Sequence, residues 1–313
     1  MKYDHTQHYK PLISATSPLP PNLHVTHLEI KERILTELQS ESTKVVIVHG
    51  WLGYGKTSLL FSIAASLMMY GKDVRYVSGV VNPSSYKFSS DVVYLLDDYA
   101  GSMSSVKYLS EKERTKFLLA VANVNYLESS APSGTTLIRL RPLTRGEVKR
   151  FLQVLSSRCG VDIERDFTDV LYELCEGVPS ALGILLEYLT SISRKLSVDV
   201  LESNYRELLT YVSTRRNSLA ERVFTDLSKL ERLTLLAVAR LEEATDEEIA
   251  RELPHVPISR DIKISLRSLR RILGKLKMYE LVTVSKKGRY RVFPRLLADV
   301  LRERYPLLVR TYL

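Results

Sequence analysis

The sequence predicts an α/β fold: a parallel sheet of about five strands with crossover helices, then two helical stretches of different character. Three observations predict it. A β-branched run, Val45-Val46-Ile47-Val48, leads through Gly50, Gly53 and Gly55 into the helical periodicity of Leu59, Leu60, Ile63, Ala64 and Leu67. A second apolar run, Val92 to Asp98, ends in two adjacent carboxylates. Other runs of strand length, at 73–80, 117–124 and 136–140, are separated by segments long enough for crossover helices.

Taken in order, residues 1–22 read as an arm, because Pro11, Pro18, Pro20 and Pro21 forbid a regular element. Leu28 to Leu38 is an amphipathic helix through Leu28, Ile30, Ile34, Leu35 and Leu38. The first strand and the helix after the glycines follow, and Gly71 is a natural helix stop. Asp73 to Val80 is the second strand and Val92 to Asp98 the third. A polar helix is expected to show Glu111, Lys112, Glu113, Arg114 and Lys116 to solvent. Phe117 to Val124 and Thr136 to Leu140 complete the sheet.

From Pro142 the texture becomes helical. Thr144-Arg145-Gly146-Glu147 is a capping box opening a helix with Val148, Phe151, Leu152 and Leu155 on one face. Helices are expected from Phe167 to Leu174, from Pro179 onward, and from Leu201 to Val212. After Leu219 come a helix at Leu230–Leu241, a second capping box at Thr245-Asp246-Glu247-Glu248, and a long helix at Ile264–Tyr279. Leu281 to Val284 and Arg289 to Phe293 then flank a Ser285-Lys286-Lys287-Gly288 turn as a hairpin. Three helices and a basic hairpin are the layout of a winged helix-turn-helix. The implied boundaries are an arm at 1–27, a nucleotide-binding domain at 28–142, a helical lid at 143–218 and a winged helix domain at 219–313.

Gly50-x-x-x-x-Gly55-Lys56-Thr57, between a strand and a helix, is the phosphate-binding P-loop pattern. The glycines let backbone N–H groups of residues 53–57 face one concavity, helped by the positive helix end. Lys56 can reach β- and γ-phosphates and Thr57 can ligate Mg²⁺. Gly50, Gly53, Tyr54, Gly55, Lys56, Thr57 and Ser58 are therefore the expected nucleotide-binding residues. The alternative is a glycine-rich turn that binds nothing. Asp97 would hold Mg²⁺ through water and Asp98 would act on the attacking water; otherwise the strand simply exits into a polar turn. Asn123 or Asn125 stands where a polar side chain could sense the γ-phosphate, though Asn is also a common turn residue.

The 313 residues and 45% apolar content allow two or three cores. Apolar runs are too short for a membrane helix, and the N-terminus lacks an apolar signal core, so a cytoplasmic location is expected. Cys159 and Cys175 lack metal-ligand spacing and read as reduced thiols, and the six histidines have no ligand framework. Net charge is +9, and from Ile258 to Leu313 there are 15 Lys/Arg against 4 Asp/Glu. The basic character therefore belongs to one end. Arg267, Arg270, Arg271 and Lys275 on the long helix, with Lys286, Lys287 and Arg289 on the hairpin, are candidate contacts to double-stranded DNA. The competing reading is a solvated helix face on a packing module.

With these residues in hand, the chain resembles the archaeal ATPase branch of the STAND P-loop NTPases, relatives of AAA+ proteins. The resemblance runs from about Leu28 to the C-terminus. It rests on Gly50 to Leu60, on Leu95-Leu96-Asp97-Asp98, on Leu140 to Glu147, on Glu176-Gly177-Val178-Pro179 and on the winged helix layout. It implies ATP and Mg²⁺ as ligands and places Gly177 and Pro179 near the nucleotide base. It departs from the family at Leu23 to His27, where a Phe-x-Gly-Arg-like segment is usual, and at Ala131 to Gly134, where a ring ATPase would carry an arginine finger. The resemblance implies a slow, Mg²⁺-dependent ATPase switch governing a DNA-binding module, with self-association or a protein partner possible. Two alternatives stay open: a nucleotide-gated transcriptional regulator with little hydrolysis, and a replication-initiator or transposition-helper ATPase.

Overall fold

The computed structural model describes residues 23, 26–51, 53–79, 82–121, 131–214, 219–255, 264–303, 305 and 308. The proline-rich arm, Leu52, Asn123 and Asn125 lie outside them. The chain divides into two compact units, Ser17–Cys159 and Gly160–Leu313.

The first unit is built on five parallel strands: β1 (Val45–His49), β2 (Asp73–Ser78), β3 (Val92–Asp97), β4 (Lys116–Val121) and β5 (Thr135–Arg139). They lie in the order β2-β3-β4-β1-β5. The central strands β1 and β3 are buried along their whole length, which is why they read as unbroken apolar runs. The edge strands β2 and β5 keep solvent-facing residues.

Alternation along the strands sorts their side chains between two faces. Val45, Ile47, Val92, Tyr94, Leu96, Phe117 and Leu119 pack with Val106 and Leu109 of α3 (Met103–Ser110). The opposite face carries Val46, Val48, Val93, Leu95 and Asp97. It is covered by α1 (Leu28–Gln39) against β1, β4 and β5, and by α2 (Lys56–Met69) against β2, β3 and β4. The helix α2 stops at Gly71, φ 73°, whose N–H donates to the Met68 carbonyl while Lys72 N–H donates to that of Leu67. The unit closes with α4 (Arg145–Cys159), whose N-terminus has the expected capping box: Thr144 N–H to Glu147 Oε2 at 2.8 Å and Glu147 N–H to Thr144 Oγ1 at 3.3 Å.

The expected polar helix is displaced. Glu111 already caps α3, residues 112–115 turn, and Lys116 opens β4. Ser102 sets that earlier start, its hydroxyl accepting from Ser105 N–H. The Lys116 ammonium donates to the carbonyls of Ser40 and Thr43 instead of facing solvent on a helix. The third strand ends at Asp97, because Asp98 takes a left-handed conformation, φ 48°.

The second unit contains α5 (Phe167–Cys175), α6 (Pro179–Ile192), α7 (Val198–Ser203), α8 (Tyr205–Thr214), α9 (Leu219–Asp226), α10 (Lys229–Leu241), α11 (Asp246–Glu252), α12 (Leu266–Met278) and α13 (Arg295–Glu303). The single helix expected at 201–212 is two, broken at Asn204, whose side chain turns back to the Val200 carbonyl. A short parallel pair, β6 (Asp162–Ile163) with β7 (Lys195–Leu196), was not anticipated. The hairpin β8 (Val282–Val284) and β9 (Tyr290–Val292) closes through Gly288, φ 72°. Helix α10 packs on α11, α12, α13 and β9. Helix α13 buries Leu296, Leu297, Val300 and Leu301, and also touches α5, α8 and α9.

Candidate functional site

The loop after β1 leaves the carboxyl edge of the sheet between strands whose connections run in opposite directions, the position where open α/β sheets bind ligands. Gly53 (φ 91°) and Gly55 (φ 82°) hold conformations that L side chains rarely adopt, and Gly55 stands immediately before α2. At Gly50 a Cβ would lie 3.1 Å from Leu140 Cβ and 3.2 Å from the Leu140 carbonyl. The first glycine of the motif is thus required by close approach to the strand exit beside it.

Within the loop, Tyr54 is buried, its ring edge-on to Trp51 at 6.1 Å and its N–H donated to the Trp51 carbonyl. Of the expected nucleotide-binding residues, Tyr54 therefore uses its side chain as core. The Lys56 ammonium folds over the loop, donating to the carbonyls of Gly50 (2.7 Å) and Trp51 (3.0 Å). Thr57 and Ser58 lie half-buried in the first turn of α2, which has no acidic residue and no side-chain cap. Its leading N–H groups and positive dipole end suit an anion.

The sheet register places the acidic pair. Leu96 of β3 pairs Leu119 of β4, and Leu119 pairs Ile47 of β1. Asp97 is therefore level with Val48, two residues before Gly50. Two strand spacings, about 10 Å, separate β3 from β1, with β4 between them. Asp97 is 2% exposed, whereas Asp98 is open to solvent. The Tyr76 hydroxyl donates to Asp97 Oδ2 at 2.8 Å, and Asp98 N–H donates to Oδ1 at 3.0 Å. Although the Tyr76 ring is 40% exposed, desolvation around its phenol, followed by that hydrogen bond, pushes the phenol up to about 12. Tyr76 was not singled out from the sequence. Its only signal was an aromatic residue near the end of the strand before the acidic one.

The donor set fits a hard divalent cation: a hydroxyl on Thr57 and a carboxylate on Asp97, with water and phosphate oxygens to complete it. No group of three or more His, Cys, Asp or Glu suited to a metal occurs among the described residues. A separate polar cluster supports the start of α1. Glu147 accepts from His27 N–H (3.2 Å), from Thr144 and from Arg141 (3.0 Å). The His27 imidazole is buried, and burial holds its pKa below 6.5 against the opposing charge of Glu147.

In the second unit, Gly177 (φ 76°) follows Glu176 (φ 46°), and Pro179 is the first residue of α6. Glu176 makes a bidentate pair with Arg291 of β9 and accepts Arg295 N–H at 2.8 Å. The expected DNA-contacting cations fall into two groups. Arg270 pairs Asp246 and Glu247, Lys275 pairs Glu231 at 3.2 Å, and Arg289 pairs Glu248 at 3.0 Å. Arg267, Arg271, Lys286 and Lys287 are exposed and have no acidic partner among the described residues. No described helix is long and apolar enough to cross a membrane.

No protein-family model and no curated protein sequence matches the chain. Solved structures do resemble it in fold. A Walker-type ATPase of Pyrococcus abyssi superposes with a TM-score of 0.62 at 15% identity, covering 92% of this chain and 99% of that one. The Aeropyrum pernix ORC2 protein, solved as ADPNP–ADP complexes, gives 0.59 at 16% identity, with 90% and 92% covered. The Thermotoga maritima RuvB Holliday junction branch migration motor gives 0.51 at 14%, with 88% and 95% covered. At these identities the likeness shows the fold, that of the P-loop NTPases.

Proposed function

We propose that the chain is a Mg²⁺-dependent ATP-binding and hydrolysing switch of the cytoplasm. Its nucleotide state would control a C-terminal winged helix that contacts double-stranded DNA. One observation supports the reading: the glycine loop follows β1 and the Asp97–Asp98 pair ends β3 at the same sheet edge, Asp97 being level with Val48, two residues before Gly50.

In this reading the loop N–H groups and the α2 N-terminus bind the β-phosphate. Lys56 exchanges the carbonyls of Gly50 and Trp51 for phosphate oxygens and stabilises charge developing on the γ-phosphate. Thr57 and Asp97 would hold Mg²⁺, which when bound neutralises charge across the β- and γ-oxygens. Asp98 orients the attacking water for in-line displacement. Asn123 would sense the γ-phosphate. The exposed cations Arg267, Arg271, Lys286 and Lys287 would meet DNA phosphates.

Single-turnover hydrolysis of ATP by wild type, Lys56→Ala and Asp98→Asn tests the enzyme reading. Asp98→Asn should bind nucleotide and hydrolyse it about 100-fold more slowly. A wild type no faster than Lys56→Ala removes hydrolysis from the account. The exposure of Asp98 favours the second reading, a regulator that holds nucleotide and scarcely hydrolyses it.

A further inference from the structure

Both oxygens of the Asp97 carboxylate are engaged. Oδ1 accepts the N–H of Asp98, and Oδ2 accepts the Tyr76 hydroxyl. The main chain of Asp97 is held too, its carbonyl accepting Gly79 N–H at 2.9 Å. Tyr76 lies on β2 opposite Leu95, two pairs before the Ser78–Asp97 pair, so it shares the face of the sheet onto which Asp97 points. Its ring packs on Phe61 of α2, with centroids 4.9 Å apart. Phe61 is one turn along the helix that begins at Lys56. One side chain thus touches both the helix that carries the glycine loop and the carboxylate at the end of β3.

We infer that Tyr76 is a positioning residue for the metal-bound nucleotide: its hydroxyl fixes the Asp97 carboxylate relative to the phosphate-binding helix. The inference rests on the nucleotide reading above. A lone buried carboxylate can rotate about its side-chain bonds. Here the phenol removes that freedom, and each oxygen keeps a lone-pair direction for a further partner. The rigid aromatic lever ties the carboxylate's place to that of α2, so loop and acid are held as one arrangement before ligand arrives. Pre-organisation of this kind lowers the ordering cost of binding.

The test uses the full chain and a fluorescent ADP analogue, titrated with excess Mg²⁺ and again with excess EDTA. Tyr76→Phe keeps the ring on Phe61 and removes only the donor. Losing a hydrogen bond to a charged acceptor predicts that the Mg²⁺-dependent gain in affinity falls about tenfold. The affinity in EDTA should stay at the wild-type value. In an Asp97→Asn background, Tyr76→Phe should have no further effect, because its action runs through that carboxylate. A Tyr76→Phe protein with the full Mg²⁺ gain overturns the inference, as does an effect that simply adds to that of Asp97→Asn. A wild type that binds no analogue in either condition removes the nucleotide reading itself, and the inference with it.

Discussion

The carboxylate of Glu147 offers a prediction whose size follows from its surroundings. It accepts Thr144 N–H and Thr144 Oγ1, each at 2.8 Å, Arg141 at 3.0 Å and His27 N–H at 3.2 Å. Burial works against its ionisation, but the Thr144 and Arg141 donors outweigh it and hold its pKa at about 2, below the ordinary 4.5. The difference is worth about 3 kcal/mol. Arg141 is 47% exposed, so solvent screening reduces this to about 2 kcal/mol. Because the folded pKa is depressed, the contribution is complete above pH 4.5 and is lost as pH falls from there toward 2. Glu147→Gln should therefore cost about 2 kcal/mol at neutral pH, roughly halved by about pH 3. Urea unfolding followed by Trp51 fluorescence measures it, since the only tryptophan lies in this unit. A cost independent of pH would mean that the side chain acts by shape and not by charge. No cost at neutral pH would refute the electrostatic reasoning altogether.

Gly50→Ala should abolish tight nucleotide binding and destabilise the sheet unit by about 1–3 kcal/mol, because its methyl meets Leu140 and Tyr54; calorimetry and melting read the two effects separately. Burial pushes the Cys175 thiol up to about 12, so a thiol reagent should label the half-buried Cys159 first, and Cys175 only on unfolding. Arg271→Ala and Lys287→Ala should each lower the salt slope of DNA binding by about one. Arg270→Ala, whose guanidinium already faces Asp246 and Glu247, should lower it less. Equal effects at all three positions, measured by titration at several ionic strengths, would show that these ion pairs open on binding.

What could be read from the sequence was local. Glycine spacing, β-branched runs and capping boxes are determined by residues within a few positions of one another, and the loop, the central strands and the helix starts at Arg145 and Asp246 appear where those signals put them. The misplaced helix after β3 shows the limit. Glu111 to Lys116 has helix-favouring composition, but the segment that buries Val106 and Leu109 against the sheet is the one before it. Helix α13 has an apolar periodicity of its own, at Leu296, Leu297, Val300 and Leu301, which the adjacent hairpin signal overshadows. The contacts of Tyr76 and of Glu176 were not legible at all. They join residues 21 and 115 positions apart, and only strand order and tertiary packing bring such pairs together. The split among the C-terminal cations was hidden for the same reason, since the acids that hold Arg270, Lys275 and Arg289 come from other elements.

The central claim is that a nucleoside triphosphate with its metal sits between Lys56 and Asp97. Isothermal calorimetry of the purified chain against ATP with Mg²⁺, repeated with Lys56→Ala, tests it most directly. The account predicts one saturable site on the wild type, weakened at least tenfold by the substitution, since one charged hydrogen-bonding group is removed from the phosphates. Absence of heat and of any melting shift with either ATP or GTP, or equal binding by both proteins, would contradict it.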